Sequence, residues 1–282
     1  MCLVPMCLVP RNRWRRGAFV LSLVAGFGAF AALAQTVASP SAHEVIPPVP
    51  TTPEEQTAQR TLFEQDEKIL RDWPNLGRYQ AENARLTPPA AGERRVVFMG
   101  DSITEAWMNH GTGASAQNPG FFPGKPWIDR GISGQTTPQM LLRFRQDVID
   151  LKPTAVVIFA GVNDIAGNTG TITAEQTEGN IRSMAELAKA NGIKVVLCSI
   201  LPVYDFKWRP GREPAPKIVA INKWIKAYAA ANHFAYADFY SAMVDERGGL
   251  PAKLSGDGVH PNPTGYAIMN PLVEAGIAEA LR

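Results

Sequence analysis

Ser102 stands in the stretch VVFMGDSITEAW (96–107), where an apolar run gives way to Gly-Asp-Ser and then to a helical pattern. A hydroxyl at such a turn is accessible, and at a helix start its own N–H can face developing negative charge. Acyl transfer through a serine needs a base for the hydroxyl proton, a group that orients the base, and donors for the oxyanion. The chain has four histidines, His43, His110, His233 and His260, from which the base could come. His43 falls in a Pro-rich stretch, His233 follows a helical pattern just before a strand, and His110 lies in a glycine-rich loop without an obvious orienting acid. His260 has Asp257 three residues before it in the irregular loop SGDGVHPN (255–262), a spacing that lets a carboxylate hold the ring nitrogen remote from the serine. Ser102, Asp257 and His260 are therefore the candidate nucleophile, orienting acid and base.

The elements that must position them follow from periodicity. RRVVFMG (94–100), WIDRGI (127–132), TAVVIFAG (154–161), IKVVLCSIL (193–201) and FAYADF (234–239) read as strands. Between them, 138–152, 173–192 and 215–232 have helical period, the middle one ending at Asn191-Gly192 like a helix C-cap, and 263–282 forms a last helix. Strands apolar on both faces and alternating with helices predict an α/β domain with a parallel sheet covered by helices. In such sheets functional groups collect outside the carboxyl ends of the strands. The first three strands each end in a polar, glycine-bearing turn: GDSIT (100–104), RGISGQTT (130–137) and GVND (161–164). Taken singly, Ser102 is a good helix N-cap and the glycines and Asn163 are ordinary turn formers. It is their joint placement at strand ends that points to a site, and the residues alone do not choose among the glycine and amide donors.

These four blocks, GDSIT, RGISGQTT, GVND and DGVH, stand in the order found in the SGNH hydrolases, the GDSL esterases and lipases, and from about Arg94 to the C-terminus the chain resembles that family. The resemblance implies a flavodoxin-like three-layer α/β/α fold around a mostly parallel five-stranded sheet. It also implies Ser102 as nucleophile and Gly134 and Asn163, with the Ser102 N–H, as the oxyanion donors. His260 would be the base oriented by Asp257. The reaction expected is ester hydrolysis, with thioester or amide hydrolysis as lesser alternatives, and no cofactor. Asp101 and Asp164 are read as structural, bonding backbone N–H groups of the turns that hold Ser102 and Asn163. No HExxH, paired-His or CxxC spacing suggests a metal, and GxSxG is absent.

The N-terminus has a different character. RNRWRR (11–16) followed by an apolar run to Ala34 has the basic and hydrophobic regions of a secretory signal peptide, residues 1–34, with Ala32-Leu33-Ala34 as the cleavage site. A retained membrane anchor is the alternative, and Arg15-Arg16 fits a twin-arginine signal poorly. The formal charge of +2 belongs to Arg11, Arg13, Arg15 and Arg16; without residues 1–34, 24 basic residues face 26 acidic ones and the balance is −2. Nothing then suggests a nucleic-acid partner, and the expected location is secreted or periplasmic, free of the membrane once the signal is cleaved. Cys198, the cysteine left outside the signal, lies in an apolar strand and reads as an inert buried thiol. The duplicated MCLVP (1–10) has no structural reading.

Residues 35–53 read as a Pro-rich linker, 54–90 as a helical extension and 91–282 as the hydrolase domain. In the extension, Leu62, Phe63, Ile69, Leu70 and Trp73 form the expected inner face, Pro74 ends the first helix, and DWPNLGRY (72–79) packs on the main domain, a return over the cleft being the alternative. Trp107, Tyr204 and Phe206, with Trp127 and Trp208, lie in or beside loops near the strand ends and are candidates for binding substrate, or else loop anchors. The irregular stretch 201–216 is the expected specificity loop. Short acyl esters, including O-acetyl groups on carbohydrates, are the expected substrates; a lipase or lysophospholipase, a thioesterase, or a non-catalytic carbohydrate-binding envelope protein are the alternatives.

Overall fold

In the computed structural model, which describes residues 52–110 and 122–282, the apolar run Val96–Gly100 is strand β1, buried on both faces. It pairs in parallel with β2 (Trp127–Gly131) on one side and β3 (Ala155–Phe159) on the other, and the sheet continues through β4 (Lys194–Cys198) to β5 (Ala235–Ala237). The order is β2-β1-β3-β4-β5 and every strand pair is parallel. Continuous Val/Ile/Phe runs are what a sheet covered on both faces requires.

Helices α1 (Pro53–Arg71) and α2 (Gln80–Arg85) precede β1, and α3 (Ser102–His110) follows it. The rest are α4 (Thr137–Asp147), α5 (Val162–Ala166), α6 (Ala174–Ala190), α7 (Pro214–Asn232), α8 (Phe239–Met243) and α9 (Pro263–Ala280), with a single 3₁₀ turn at Ile149–Leu151 after α4. α4, α6 and α7 form one covering layer; α3, α8 and α9 form the other. The boundaries follow local chemistry. Thr173 begins α6 with a reciprocal cap, its hydroxyl accepting from Gln176 N at 3.2 Å while its N–H donates to Gln176 Oε1 at 2.9 Å. Asn191-Gly192 ends the same helix as its sequence predicts.

Two consequences of this order place the site. The chain leaves β1 toward β2 but runs from β3 away from it, so the loops after β1 and β3 part and open a crevice at their carboxyl ends. Gly100, the last residue of β1, is also held to glycine by crowding: a Cβ there would lie 2.0 Å from Thr104 Oγ1. Its absence lets the first turn of α3 lie against the strand end.

The N-terminal segment departs from expectation. Leu62, Phe63 and Leu70 are 60%, 65% and 84% exposed, so the apolar spacing that specifies helix α1 does not mark an inner face. Helical period fixes where apolar groups point, and only a partner buries them. The helix stops at Arg71, before Pro74, where the Asp72 carboxylate accepts from Leu76 N at 2.7 Å and Gly77 N at 2.8 Å. From there to α2 the chain does pack on the main domain. The Tyr79 hydroxyl donates to Gly131 O, and the Asn83 amide reaches Asp147 at 2.7 Å. The signal reading (1–34) and the linker reading (35–53) up to residue 51 lie outside the described residues, and Pro53, at the linker's end, already opens α1. No helix of the described residues is long and apolar enough to cross a membrane.

Candidate active site

β1 delivers Asp101 and Ser102 to the crevice, with Ser102 as the first residue of α3. Asp101 is buried and accepts the Ile103 N–H at 3.0 Å, the structural part its position suggests. Burial pushes its carboxyl up to about 7, against the pull of that N–H. Ser102 Oγ lies 2.9 Å from His260 Nε2, and His260 Nδ1 lies 2.6 Å from Asp257 Oδ2. The carboxylate's other oxygen accepts Val259 N at 2.9 Å, His260 N at 2.8 Å and the Ser255 hydroxyl at 3.0 Å. Ser255 Oγ in turn accepts Gly258 N at 2.9 Å, so a short irregular loop is wound around one acid.

Partial burial works against the charge on Asp257. The imidazole and the N–H groups of His260 and Val259 outweigh it and hold the carboxyl well below the usual carboxylate range. An ionised Asp257 keeps the ring proton on Nδ1 and leaves Nε2 as the acceptor facing Ser102. That is the tautomer in which the imidazole can take the hydroxyl proton.

Gly134 and Asn163 reach the same crevice from β2 and β3. Gly134 adopts φ +77°, a conformation costly for any residue with a Cβ. The space around it is open, since an added Cβ would meet only Asn168 Nδ2 at 3.9 Å, so conformation rather than crowding selects glycine here. Its N–H has no acceptor among the described residues. Asn163 is the second residue of α5; its Nδ2 donates to Gln135 O at 3.0 Å, and its Oδ1 accepts from Asn168 Nδ2 at 2.8 Å. Asn168 Nδ2 also donates to Gly134 O at 3.2 Å. These bonds fix which end of the Asn163 amide is the donor and leave it one N–H uncommitted. Ser102 N–H, at the start of α3, has no intrahelical acceptor. Ser102, Gly134 and Asn163 thus follow three adjacent strands of the sheet, each with a neutral N–H left over, an arrangement that would suit an oxyanion that exists only in the transition state.

Asp164 bonds its own backbone N–H within the turn and adds the start of α4, accepting Thr137 N at 3.0 Å and Thr137 Oγ1 at 2.5 Å, with Thr177 Oγ1 at 3.3 Å. Burial pushes its carboxyl up and those donors oppose the shift. It ties the third block to the second.

Sequence reasoning missed three supports. Arg143, fully buried, donates to Gly100 O at 3.0 Å, Gln135 Oε1 at 2.6 Å and Asp147 Oδ2 at 3.2 Å, joining the end of β1 to the loop before α4. An Arg and an Asp four apart on the apolar face of Met140 and Phe144 was the available signal. Glu105 accepts Ser133 N at 2.9 Å and the Ser133 hydroxyl, while Arg78 donates to it at 3.1 Å. Asn168 lies beyond the motif that drew attention to Asn163 and left no trace of its role.

The aromatic candidates divide. Trp107 is fully buried, ringed by Phe98, Phe239 and Tyr266, with its indole N–H on Asn270 at 2.8 Å. One helical turn after Ile103, it faces the core, so it is not a substrate-binding residue. Phe206 is likewise fully buried, packed at a tilt against Trp208, and anchors the 201–216 loop. Trp127 begins β2 and therefore lies at the amino edge of the sheet, away from the crevice. Tyr204 remains 57% exposed with Arg247 over its ring at 5.3 Å, and Trp208 is about half exposed. Among the described residues no three His, Cys, Asp or Glu side chains cluster as metal ligands. His233 is exposed at the end of α7, and His43 and the side chain of His110 lie outside the described residues.

Residues 98–268, more than half of the chain, match the GDSL-like Lipase/Acylhydrolase family. A solved GDSL-like lipase from Bacteroides thetaiotaomicron is 49% identical and superposes with a TM-score of 0.70, covering 74% of this chain and 100% of that one. Esterase TesA of Pseudomonas aeruginosa is 34% identical over 183 residues, 62% of this chain and 83% of its own. An acetylxylan esterase of Geobacillus stearothermophilus is 27% identical over 206 residues, 64% of this chain and 91% of its own. With its all-parallel α/β/α fold and its strand-end residues, the chain belongs to the GDSL-like lipase/acylhydrolase family, the SGNH hydrolases, and is a carboxylic ester hydrolase.

Proposed function

We propose that this esterase is exported and removes short acyl groups, foremost O-acetyl groups on carbohydrates, through an acyl-enzyme formed on Ser102. The observation that carries the mechanism is the continuous chain from Ser102 Oγ through His260 to Asp257, at 2.9 and 2.6 Å. Ser102 Oγ attacks the ester carbonyl as its proton passes to His260 Nε2, and the carbonyl oxygen becomes an oxyanion. The N–H groups of Ser102 and Gly134 and the free N–H of Asn163 receive that charge, each such donor being worth about 10²–10³ in rate. The tetrahedral adduct collapses as His260 returns the proton to the leaving alcohol oxygen, which departs and leaves the acyl group on Ser102. Water then attacks, giving up a proton to His260, and the carboxylic acid is released with Ser102 restored. Asp257 stays ionised throughout, holding the ring and stabilising the imidazolium.

A short acyl group is favoured because Trp107 and Phe206, two aromatic residues that could have floored an acyl site, are sealed in the core. The acetylxylan esterase among the relatives supports a carbohydrate alcohol. Export rests on the signal-like residues 11–34, which would also leave a mildly acidic chain. A panel of p-nitrophenyl acetate, butyrate and octanoate, run beside acetate release from acetylated xylo-oligosaccharides, tests the substrate. A preference for acetate over octanoate of at least about tenfold in kcat/KM, with acetate released from the oligosaccharide, is the expected outcome. A preference for octanoate, or no release from the carbohydrate, would overturn it.

A further inference from the structure

Between α1 and α2 the chain forms a strap that closes one side of an open cleft of about 560 Å³. Trp73 and Asn75 line the strap side; Ile132, Gly134, Gln135 and Asn168 line the other. The cleft therefore reaches the oxyanion glycine itself. The strap is held by its carbonyl oxygens: Gln139 Nε2 donates to Trp73 O at 2.7 Å, Gln135 Nε2 to Pro74 O at 2.7 Å and Gln146 Nε2 to Leu76 O at 2.6 Å. Asn75 makes the turn at φ +55°, a left-handed conformation that asparagine tolerates better than most residues. Three side-chain donors on one short turn fix the backbone that presents the indole.

The groups this leaves unused define a ligand. Trp73 is 37% exposed and its ring stacks on no other ring or cation among the described residues. The Asn75 carboxamide has no hydrogen-bond partner among the described residues. Asn168 spends its Nδ2 on Gly134 and Asn163, which leaves its Oδ1 open as an acceptor. A flat apolar face with unpaired amide groups at its rim suits a ring with C–H groups on its face and hydroxyls on its edge. An alkyl chain would desolvate those amides without replacing their hydrogen bonds.

We propose that this cleft is a sugar subsite, with Trp73 as the platform on which the ring of an acylated carbohydrate stacks and with Asn75 and Asn168 bonding its hydroxyls. The assignment rests on the carbohydrate-ester reading above. It makes an N-terminal segment outside the four sequence blocks a determinant of specificity.

The test compares wild type, Trp73→Ala and Trp73→Phe on acetylated xylotriose, p-nitrophenyl acetate and p-nitrophenyl octanoate, with Tm measured on each protein. Loss of the indole platform is expected to lower kcat/KM on the oligosaccharide about tenfold more than on p-nitrophenyl acetate, mostly through KM, and Trp73→Phe is expected to recover most of that difference. Unacetylated xylotriose should inhibit wild type more strongly than Trp73→Ala. Equal losses on all three esters, or none on the oligosaccharide, would overturn the subsite while leaving the carbohydrate reading standing. A loss greatest on p-nitrophenyl octanoate would make the cleft an acyl pocket and overturn it as well. Wild type that releases no acetate from the oligosaccharide would overturn both.

Discussion

Replacing Asn163 by alanine separates the oxyanion role from a purely structural one. In the proposed mechanism the Asn163 amide has two jobs: one N–H holds Gln135 O at 3.0 Å, and the other serves the oxyanion. Removing one oxyanion donor costs about 2.7–4 kcal/mol of transition-state stabilisation, a fall of about 10²–10³ in kcat. KM should hardly change, because the ground-state ester carbonyl carries little of the charge the donor serves. The same substitution strips Gln135 O of a buried partner, a stability cost of about 1–3 kcal/mol, or roughly 2–12 °C in Tm for a folded body of this size. Asn163→Asp keeps the volume but sets a carboxylate where negative charge must develop, so its kcat should fall further than that of Asn163→Ala. Steady-state kinetics on p-nitrophenyl acetate, with calorimetry on the same samples, gives both numbers. A kcat within tenfold of wild type, or a loss carried by KM alone, would refute the assignment of Asn163 as an oxyanion donor.

Two further outcomes follow from buried charges. Asp101 has its carboxyl pushed up to about 7 by burial, so between about pH 4 and about pH 7 the folded state holds a proton that the unfolded chain has released. Its stabilising contribution is full below the unfolded value and is lost as pH rises through about 7. Asp101→Asn keeps an oxygen for the Ile103 N–H and should lower Tm less than wild type does on going from about pH 5 to about pH 8. Asp129, also pushed up to about 7 by burial, contributes equally to both proteins and cancels, so identical slopes would contradict the argument. Arg143→Met should destabilise by about 3–5 kcal/mol, read as the loss of roughly 6–20 °C in Tm, because it leaves buried Asp147 without its cation. The double variant Arg143→Met, Asp147→Leu should recover part of that loss, net of the Asn83–Asp147 bond it also removes, and a Tm well below the single variant's would contradict an unpaired Asp147 as the main cost.

What sequence conveys here depends on how local the cause is. β1, β3 and β4 were legible because burial on both faces writes itself as apolar runs, and Thr173 and Gly192 mark helix ends by bonds within a few residues. Ser102, Asp257 and His260 were legible because a turn, a three-residue spacing and a short list of histidines narrow the choice, and the structure joins them by hydrogen bonds. Gly134 and Asn163 needed the family resemblance, since a turn glycine and an amide after a strand have several local uses. Side-chain direction was not legible. Trp107 and Phe206 were placed near the crevice by sequence position, yet Trp107 turns inward from α3 and Phe206 plugs the core beneath its loop. Leu62, Phe63 and Leu70 show the converse, an apolar stripe left exposed. Beyond the local pairs Arg143–Asp147 and Asn168–Asn163, the bonds of Arg143, Glu105 and Asn168 span 8 to 43 residues of chain, and no local pattern encodes those distant partners.

The central claim is that Ser102 is the nucleophile, and covalent labelling with a fluorophosphonate addresses it directly. Wild type should take up one equivalent of probe on the peptide that contains Ser102 and lose its esterase activity in proportion, while Ser102→Ala, folded by its Tm, should take up none. Labelling at a different serine, or undiminished labelling of Ser102→Ala, would contradict the account.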